Sequence, residues 1–218
     1  MIEGVLFDSG GVLMGPRGGR WWPIHGFERV VRAHCPAASF VTLESALAPA
    51  MAYMARTHPD EDWREFYRLV VEGIGVRPTD AMLDEIAAIE PAASVEIFGD
   101  VVGCLETLRA RAIRMAVVSD AWPNLPGIHA ALGIAPFFEG YAISSTLGCT
   151  KPDPRMYAEG ARILALPPEK LLFVDDCDDL VDAALKLGYR GVALCRAGEQ
   201  PRFPVPWITS LDDLPARL

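Results

Sequence analysis

The second half of the sequence alternates short apolar segments with amphipathic ones, and this alternation constrains the fold more than any other feature. Strand-like apolar runs occur at 113–118, 170–174 and 191–195, with segments of helical periodicity between them. An initial run at 2–7 and a shorter one near 140–143 extend the pattern. Parallel strands joined by helices are buried on both faces, so the sequence predicts an α/β fold, a Rossmann-like parallel sheet core with helices on both sides.

Residues 15–95 show a different sequence pattern, in which segments of helical periodicity follow one another with no strand-like segment between them. The helical segments lie at 24–34, 41–56, 61–73 and 79–90. A purely helical block inside an alternating pattern indicates an insertion between the first strand and the rest of the sheet. We therefore predict a core domain of residues 1–14 and 96–218 and an inserted all-helical domain at 15–95.

The amino-acid composition limits the binding partners and the cellular compartment that we expect for this protein. The chain has 20 basic and 29 acidic side chains, a formal net charge of −9, which argues against nucleic acid as a partner. No apolar run approaches the roughly 18 residues that span a bilayer. The start carries Glu3 and lacks a basic segment, unlike a signal peptide, and the cysteines form no C-x-x-C pair. We expect a cytoplasmic monomer or homodimer that binds no membrane.

Chemically reactive side chains follow the predicted strands at the point where each strand ends. In an open parallel sheet, ligands bind outside these carboxyl ends. A lysine also occurs in a loop just before a predicted helix. The residues concerned are Asp8, Ser119, Asp120, Lys151, Asp175 and Asp176. Each alone is compatible with an ordinary turn or helix cap, but together they predict one site at one edge of the sheet.

This set suits attack by a carboxylate on a phosphoryl group beside a divalent cation. Oxygen ligands from carboxylates and carbonyls suit Mg²⁺, which also binds substrate phosphate. A cation and a lysine neutralise the phosphoryl group, so that an anionic nucleophile can approach it. A carboxylate nucleophile passes through an aspartyl intermediate.

Four short motifs, in order along nearly the whole chain, resemble those of the haloacid dehalogenase-like hydrolases. Segment 7–13 (FDSGGVL) resembles the first motif, segment 117–119 (VVS) the second, segment 151–154 (KPDP) the third and segment 173–176 (FVDD) the fourth. The insert at 15–95 falls where this family carries the cap that selects substrates. The resemblance implies a hydrolase of the phosphoric monoester type with Mg²⁺ as cofactor and a small phosphorylated molecule as substrate.

The resemblance also implies roles for individual residues. The catalytic residues would be Asp8, as nucleophile, and Lys151. The metal would be held by Asp8, the Gly10 carbonyl and Asp176, with Asp175 or Asp179 as helper. Substrate contacts would come from Ser9, Ser119 and Asp120. Arg20 and Trp22, at the start of the insert, either meet the substrate or simply anchor their loop.

Two departures from the family pattern affect the expected chemistry. Gly10 occupies the position where phosphatases of the family carry a general acid, and such groups contribute about 10²–10⁴-fold to rate. The family also places an Asp or Asn four residues after its metal-binding Asp. Counted from Asp176 that residue is Leu180, whereas counted from Asp175 it is Asp179. The downstream Ala-Ala pair at 183–184 favours the register that starts from Asp176.

Three functions remain open from the sequence. The first is a Mg²⁺-dependent phosphatase of a small phosphorylated metabolite, acting through an aspartyl-phosphate at Asp8. The second is a metal-independent 2-haloacid dehalogenase, in which Asp175 and Asp176 would repel the incoming carboxylate. The third is a non-catalytic member that binds a phosphorylated ligand, an interpretation motivated by Gly10 and Leu180.

Overall fold

A computed structural model describes residues 1–57 and 62–218, so residue 61, the predicted start of the third helix, lies outside the described residues. The chain divides into two compact units, one formed by Met1–Gly15 with Glu96–Leu218 and the other by Pro16–Val95. None of the helices in the described ranges is long and apolar enough to cross a membrane. That the second unit acts as a substrate-selecting cap stays a prediction.

The first unit is built on a parallel sheet. The strands of the described chain are β1 (Gly4–Phe7), β2 (Met14–Pro16), β3 (Val95–Ile97), β4 (Arg114–Ser119), β5 (Tyr141–Ile143), β6 (Leu171–Asp175), β7 (Arg190–Leu194) and β8 (Trp207–Ile208). Within the described residues, six of them form one sheet in the order β5-β4-β1-β6-β7-β8, and every pair in it is parallel. The predicted Rossmann-like sheet is thereby confirmed.

Helices connect the strands and fill the second unit. The α-helices of the described ranges are α1 (Phe27–His34), α2 (Leu43–Thr57), α3 (Trp63–Gly73), α4 (Asp80–Ala87), α5 (Val101–Ala110), α6 (Leu125–Ala131), α7 (Ser144–Leu147), α8 (Pro154–Leu164) and α9 (Asp178–Lys186). Helices α1–α4 belong to the second unit, as the periodicity of 15–95 predicts. Two begin at side-chain caps, because Asp62 accepts hydrogen bonds from the first turn of α3 and Thr79 accepts one from the first turn of α4.

Strand β1 lies in the middle of the sheet and is buried along its whole length. Phe7, its last residue, pairs with Val117 of β4 on one side and with Val174 of β6 on the other. Apolar side chains of these strands pack against α8, where Met156 and Tyr157 are fully buried. The carboxyl ends of the three central strands therefore meet at one edge of a rigid core.

The differences from the predicted elements are confined to short segments. Strands β2, β3 and β8 have two or three residues, too few for an alternating pattern to show in the sequence. Helix α1 begins at Phe27 and not at 24, because Gly26 before it adopts a positive φ of 96°. A 3₁₀ helix, Leu211–Ala216, follows β8 and is capped by the Ser210 side chain.

Candidate functional site

The turn after β1 carries Asp8 and is fixed by backbone hydrogen bonds. The Asp8 amide donates to the Val174 carbonyl of β6 over 2.8 Å. The Ser9 carbonyl accepts from the Met14 amide over 3.0 Å, and the Gly11 amide donates to the Met14 carbonyl over 2.9 Å. We call residues 8–11 the nucleophile turn. Its backbone is hydrogen-bonded to Val174 of β6 and to Met14 of β2, so the Asp8 carboxylate has a defined position.

Lys151 lies at the centre of the site. Its Nζ is 2.7 Å from Asp8 Oδ1 and 2.6 Å from Asp175 Oδ2. The Lys151 side chain is 2% exposed and that of Asp175 is 1% exposed. The Lys151 amide also donates to Asp120 Oδ1 over 3.0 Å. The structure thus brings together Asp8, Asp120, Lys151 and Asp175, four of the six residues that the sequence singled out.

The site holds more negative than positive charge. In the described part of the chain, the carboxylates of Asp8, Asp120, Asp175 and Asp176 lie around one ammonium group, that of Lys151. Burial disfavours that ammonium, but the charges of Asp8 and Asp175 outweigh burial and raise the pKa of Lys151. Burial raises the pKa values of Asp120, Asp175 and Asp176, and the charge of Asp8 raises them further. Such a site gains free energy by taking up a cation.

The two acidic residues that end β6 have different surroundings. Both oxygens of Asp175 are engaged, Oδ2 by Lys151 and Oδ1 by the Cys177 amide over 2.8 Å. The Asp176 carboxylate instead lies against the nucleophile turn. Gly11 has a φ of +78°, and a Cβ there would be only 2.1 Å from Asp176 Oδ2, so no side chain fits at this position.

A metal ion fits this arrangement by the chemistry of its donors. Asp176 lies beside the nucleophile turn, which contributes the Asp8 carboxylate and the Gly10 carbonyl, and all three groups offer oxygen. Oxygen donors with excess negative charge suit Mg²⁺. Ligand atoms of Asp175, Asp176 and Cys177 also lie within 4.8 Å of one another, but a thiol does not suit this ion. The predicted preference for Asp176 over Asp175 is consistent with this geometry and stays a prediction.

Of the predicted substrate-binding residues of the first unit, Ser9 and Ser119 are buried and Asp120 is exposed. Ser119 ends β4, two positions beyond the Val117 partner of Phe7. The Ser9 hydroxyl is 2.8 Å from His129 Nε2 on α6, and Ser9 is 1% exposed. In this conformation the Ser9 hydroxyl is engaged by His129. Substrate binding by Ser9, Ser119 and Asp120 stays a prediction.

Arg20 and Trp22 belong to the second unit. The Trp22 ring stacks on Trp63 at 5.6 Å between ring centroids and contacts Phe66 at 5.0 Å, which favours the loop-anchoring interpretation. Arg20 forms an ion pair with Glu28 at the edge of a cavity of about 370 Å³. The charged or titratable residues lining this cavity are Arg17, Arg20, His25, Glu28 and Arg29.

Two residues beside the nucleophile turn were not identified from the sequence. His129 holds Ser9, and Arg196 donates from Nη2 to the Val12 carbonyl over 2.8 Å and from Nε to the Gly11 carbonyl over 3.1 Å. Arg196 also forms a two-point ion pair with Asp100. His129 lies on a helix, and Arg196 lies in the segment after β7. Neither residue directly follows a strand that the sequence predicted to carry a reactive side chain at its end, and no local motif marks either of them.

Comparisons with known proteins place these observations in a family. Residues 2–188 match the family model described as haloacid dehalogenase-like hydrolase. The chain is 34% identical over 106 residues to an Enolase-phosphatase E1 of Methylococcus capsulatus, covering 47% of this chain and 46% of that protein. It is 28% identical over 214 residues to an Enolase-phosphatase E1 of Frankia alni, covering 91% and 85%. The chain thus spans about half the length of the first relative and most of the second.

A solved structure supports the same architecture. The L-2-haloacid dehalogenase of Xanthobacter autotrophicus superposes with a TM-score of 0.68 at 18% identity, covering 99% of this chain and 98% of that one. At this identity the likeness is one of fold. The named relatives therefore include both phosphatases and a dehalogenase, and the chemistry must be argued from the site.

Proposed function

The chain belongs to the haloacid dehalogenase-like hydrolases, and within that family we propose that it is a Mg²⁺-dependent phosphatase of a small phosphorylated metabolite. Asp8 is the nucleophile, Lys151 and Ser119 bind the phosphoryl oxygens, and Asp8, the Gly10 carbonyl and Asp176 hold the metal.

The observation that carries this proposal is the excess of carboxylates at the site. Asp8, Asp175 and Asp176 lie together with one lysine, and their charges act on one another. A dehalogenase must admit the carboxylate of a haloacid, which these groups repel. A phosphatase brings a divalent cation with its anionic substrate, and the cation compensates both sets of charges.

The chain's own residues supply the remaining chemistry. An Asp8 carboxylate oxygen attacks phosphorus, and the bond from phosphorus to the leaving oxygen breaks as the new bond forms. Lys151 has three N–H donors, of which two bond Asp8 and Asp175, so the third is available to a phosphoryl oxygen. Water then attacks phosphorus, which releases inorganic phosphate and restores the Asp8 carboxylate.

Two features tune this reaction. When bound, Mg²⁺ stabilises the charge that develops on the phosphoryl oxygens. Gly10 offers no proton to the leaving oxygen, which therefore takes its proton from solvent. Substrates whose leaving group is already stable as an anion, such as an aryl phosphate, are expected to react fastest because they need no general acid.

The second unit supports an anionic substrate. Its cavity of about 370 Å³ has the size of a small-molecule site and is lined by three arginines, Arg17, Arg20 and Arg29, and one glutamate, Glu28. This lining has a positive balance in a chain whose formal net charge is −9. We propose that the cavity binds an anionic group of a small molecule, with Arg20 among its contacts.

The proposal is tested by measuring phosphate release from phosphorylated metabolites and from an aryl phosphate, with Mg²⁺ and with chelator. Turnover is expected to need the metal and to fall by about 10³-fold or more in Asp8→Asn, which keeps the side-chain shape and removes the nucleophilic charge. Unchanged phosphate release by Asp8→Asn would show that this residue is not the nucleophile.

A matched pair of variants tests the metal ligand. Asp176→Asn is expected to raise the Mg²⁺ concentration needed for half-maximal activity, because it removes one charged oxygen donor. Asp213→Asn, at an exposed position in the 3₁₀ helix Leu211–Ala216, is the control and is expected to behave like the unmodified protein. Chloride release from 2-chloropropionate in the presence of chelator would instead identify the dehalogenase, and binding of phosphate without turnover the non-catalytic member.

A further inference from the structure

A buried hydrogen bond joins the nucleophile turn to helix α6. Ser9 Oγ is 2.8 Å from His129 Nε2, and the two residues are 120 positions apart in the sequence. Ser9 is 1% exposed and His129 is 0% exposed. Two polar side chains withdrawn from water to this degree meet only because the fold brings them together. Ser9 Oγ and His129 Nε2 satisfy each other, whereas His129 Nδ1 is buried with no hydrogen-bond partner among the described residues.

Ser9 occupies the position at which such a bond matters most. It stands between Asp8, the proposed nucleophile, and Gly10, whose carbonyl is a proposed metal ligand. One end of the nucleophile turn is held by the Asp8–Val174 hydrogen bond and the other by the Arg196–Gly11 hydrogen bond. The bond to His129 is the side-chain contact at the middle of this turn.

His129 is itself held firmly. Its ring contacts Phe138 at 5.7 Å and Tyr141 at 5.5 Å between ring centroids, which fixes the ring plane. Burial lowers the pKa of His129 to about 4, so the imidazole is neutral at neutral pH and leaves the charge balance of the site unchanged. A fully buried ring does not meet substrate, so any effect it has on turnover is exerted through Ser9.

We propose that His129 is a positioning residue, which through Ser9 holds the Asp8 carboxylate and the Gly10 carbonyl at a fixed separation. The consequence for turnover rests on the proposed function, since it assumes that Asp8 attacks and that Gly10 binds the metal. The consequence for the backbone does not, because the nucleophile turn loosens without this bond whatever reaction the site performs. Displacing a reacting group by about 1 Å costs up to about 10²-fold in rate.

A double-mutant cycle on Ser9→Ala and His129→Leu tests the kinetic consequence. Each single variant is expected to lower kcat on an aryl phosphate about tenfold while KM stays within about twofold, because the loss is one of alignment. The double variant is expected to be no slower than the slower single one, since both remove the same bond. His129→Gln, which keeps a polar side chain, is expected to recover part of kcat.

Tyr141→Phe is the matched control. It alters a ring that contacts His129 and removes a hydroxyl that has no hydrogen-bond partner among the described residues, but it leaves the Ser9–His129 bond in place. We expect its kcat to equal that of the unmodified protein. A kcat loss in Tyr141→Phe as large as in His129→Leu, or effects of Ser9→Ala and His129→Leu that multiply, would contradict the proposal.

Hydrogen exchange supplies a readout independent of activity. The amides of Asp8 and Gly11 are hydrogen-bonded in the turn, and the Ala193 amide of β7 serves as a reference. In Ser9→Ala and His129→Leu, the Asp8 and Gly11 amides are expected to exchange faster while Ala193 is unchanged. Unchanged exchange at both turn amides in Ser9→Ala, the smaller change, overturns the proposal. Faster exchange in a protein that turns over nothing retains the positioning role and refutes the phosphatase.

Discussion

Lys151 and Arg68 are both cations held between two carboxylates, yet they lie in opposite environments. Lys151 Nζ is 2.7 Å from Asp8 and 2.6 Å from Asp175, with 2% of its side chain exposed. Arg68 is 2.5 Å from Glu65 and 2.6 Å from Glu72, with 37% exposed. The ion-pair distances are nearly equal, but the electrostatic interaction energies differ, because water screens the charge of Arg68 and is excluded from that of Lys151.

The ion pairs of Arg68 and of Lys151 also differ in how the fold assembles them. The partners of Arg68 lie three and four residues away on one helix, so α3 assembles them wherever it forms. The partners of Lys151 lie 143 and 24 residues away and meet only in the finished sheet. Burying these charges is expensive and is not needed for a stable core, which favours a functional explanation of the cluster around Lys151.

Removing the buried cation is expected to have the largest effect. Lys151→Met leaves Asp8 and Asp175 facing each other in a buried site, so the free energy of unfolding should fall by about 3–5 kcal/mol. Phosphate release should fall by about 10²- to 10³-fold, since a charged donor to the phosphoryl group is lost. Denaturant unfolding and the aryl phosphate assay measure the two. Lys170→Met, at a lysine paired with Glu3 on the surface, is the control and should change neither.

The pH dependence of stability should reveal a buried group that carries no charge. Burial lowers the pKa of His129 to about 4 from an ordinary 6.5, so the unfolded chain takes up a proton first as the pH falls. The free energy of unfolding should therefore decrease between about pH 6.5 and pH 4, by on the order of 3 kcal/mol from this group. His129→Leu should remove this part of the slope. An unchanged slope would place the titration elsewhere.

An intermediate effect is expected at the half-buried pair of Arg196 and Asp100. Arg196→Met removes hydrogen bonds to Asp100 and to the Gly11 and Val12 carbonyls, and should lower the free energy of unfolding by about 2 kcal/mol. Denaturant unfolding measures the change. Arg162→Met, at a surface arginine paired with Glu159, is the matched control. Equal stability of the two variants would contradict the ranking by burial.

The smallest effect on stability is expected at Arg68, the exposed cation of the comparison. Arg68→Met should leave the Tm indistinguishable from that of the unmodified protein, because exposed ion pairs gain little net energy over hydration. Whatever remains should vanish at high salt, which screens exposed charges. Thermal unfolding at low and high ionic strength checks both statements. A large, salt-insensitive drop in Tm would mean that exposure does not rank these ion pairs.

The contrast between contacts that are local in sequence, as at Arg68, and contacts between distant residues, as at Lys151, explains what could be predicted from the sequence. Periodicity is local, so it predicted the sheet and the helices of the second unit. The carboxyl ends of parallel strands lie at one edge of the sheet, so the sequence predicts that Asp8 and Asp175 lie at one site. Lys151, in a loop before a predicted helix, is assigned to the same site. The position of a residue at a strand end predicts which edge of the sheet it lies on, but it does not predict which side chains it contacts.

The remaining features depend on contacts between distant residues that carry no motif. His129 reaches Ser9 across 120 positions, and Arg196 reaches Gly11 across 185. The division of labour between Asp175 and Asp176 is equally hidden, because adjacent residues at a strand end point in different directions. In the folded protein Asp175 bonds Lys151, whereas Asp176 lies against the nucleophile turn.

The central place of β1 has a consequence for how the chain acquires its structure. Strand β1 is synthesised before both of its partners, β4 and β6, which begin at Arg114 and Leu171, so it cannot be paired on both edges until β6 has been made. The second unit is one continuous segment, Pro16–Val95, whose contacts are all short in sequence by comparison. Local contacts form faster than distant ones. The helical unit is therefore expected to fold early during synthesis, and the site around Asp8 to be among the last parts of the protein to form.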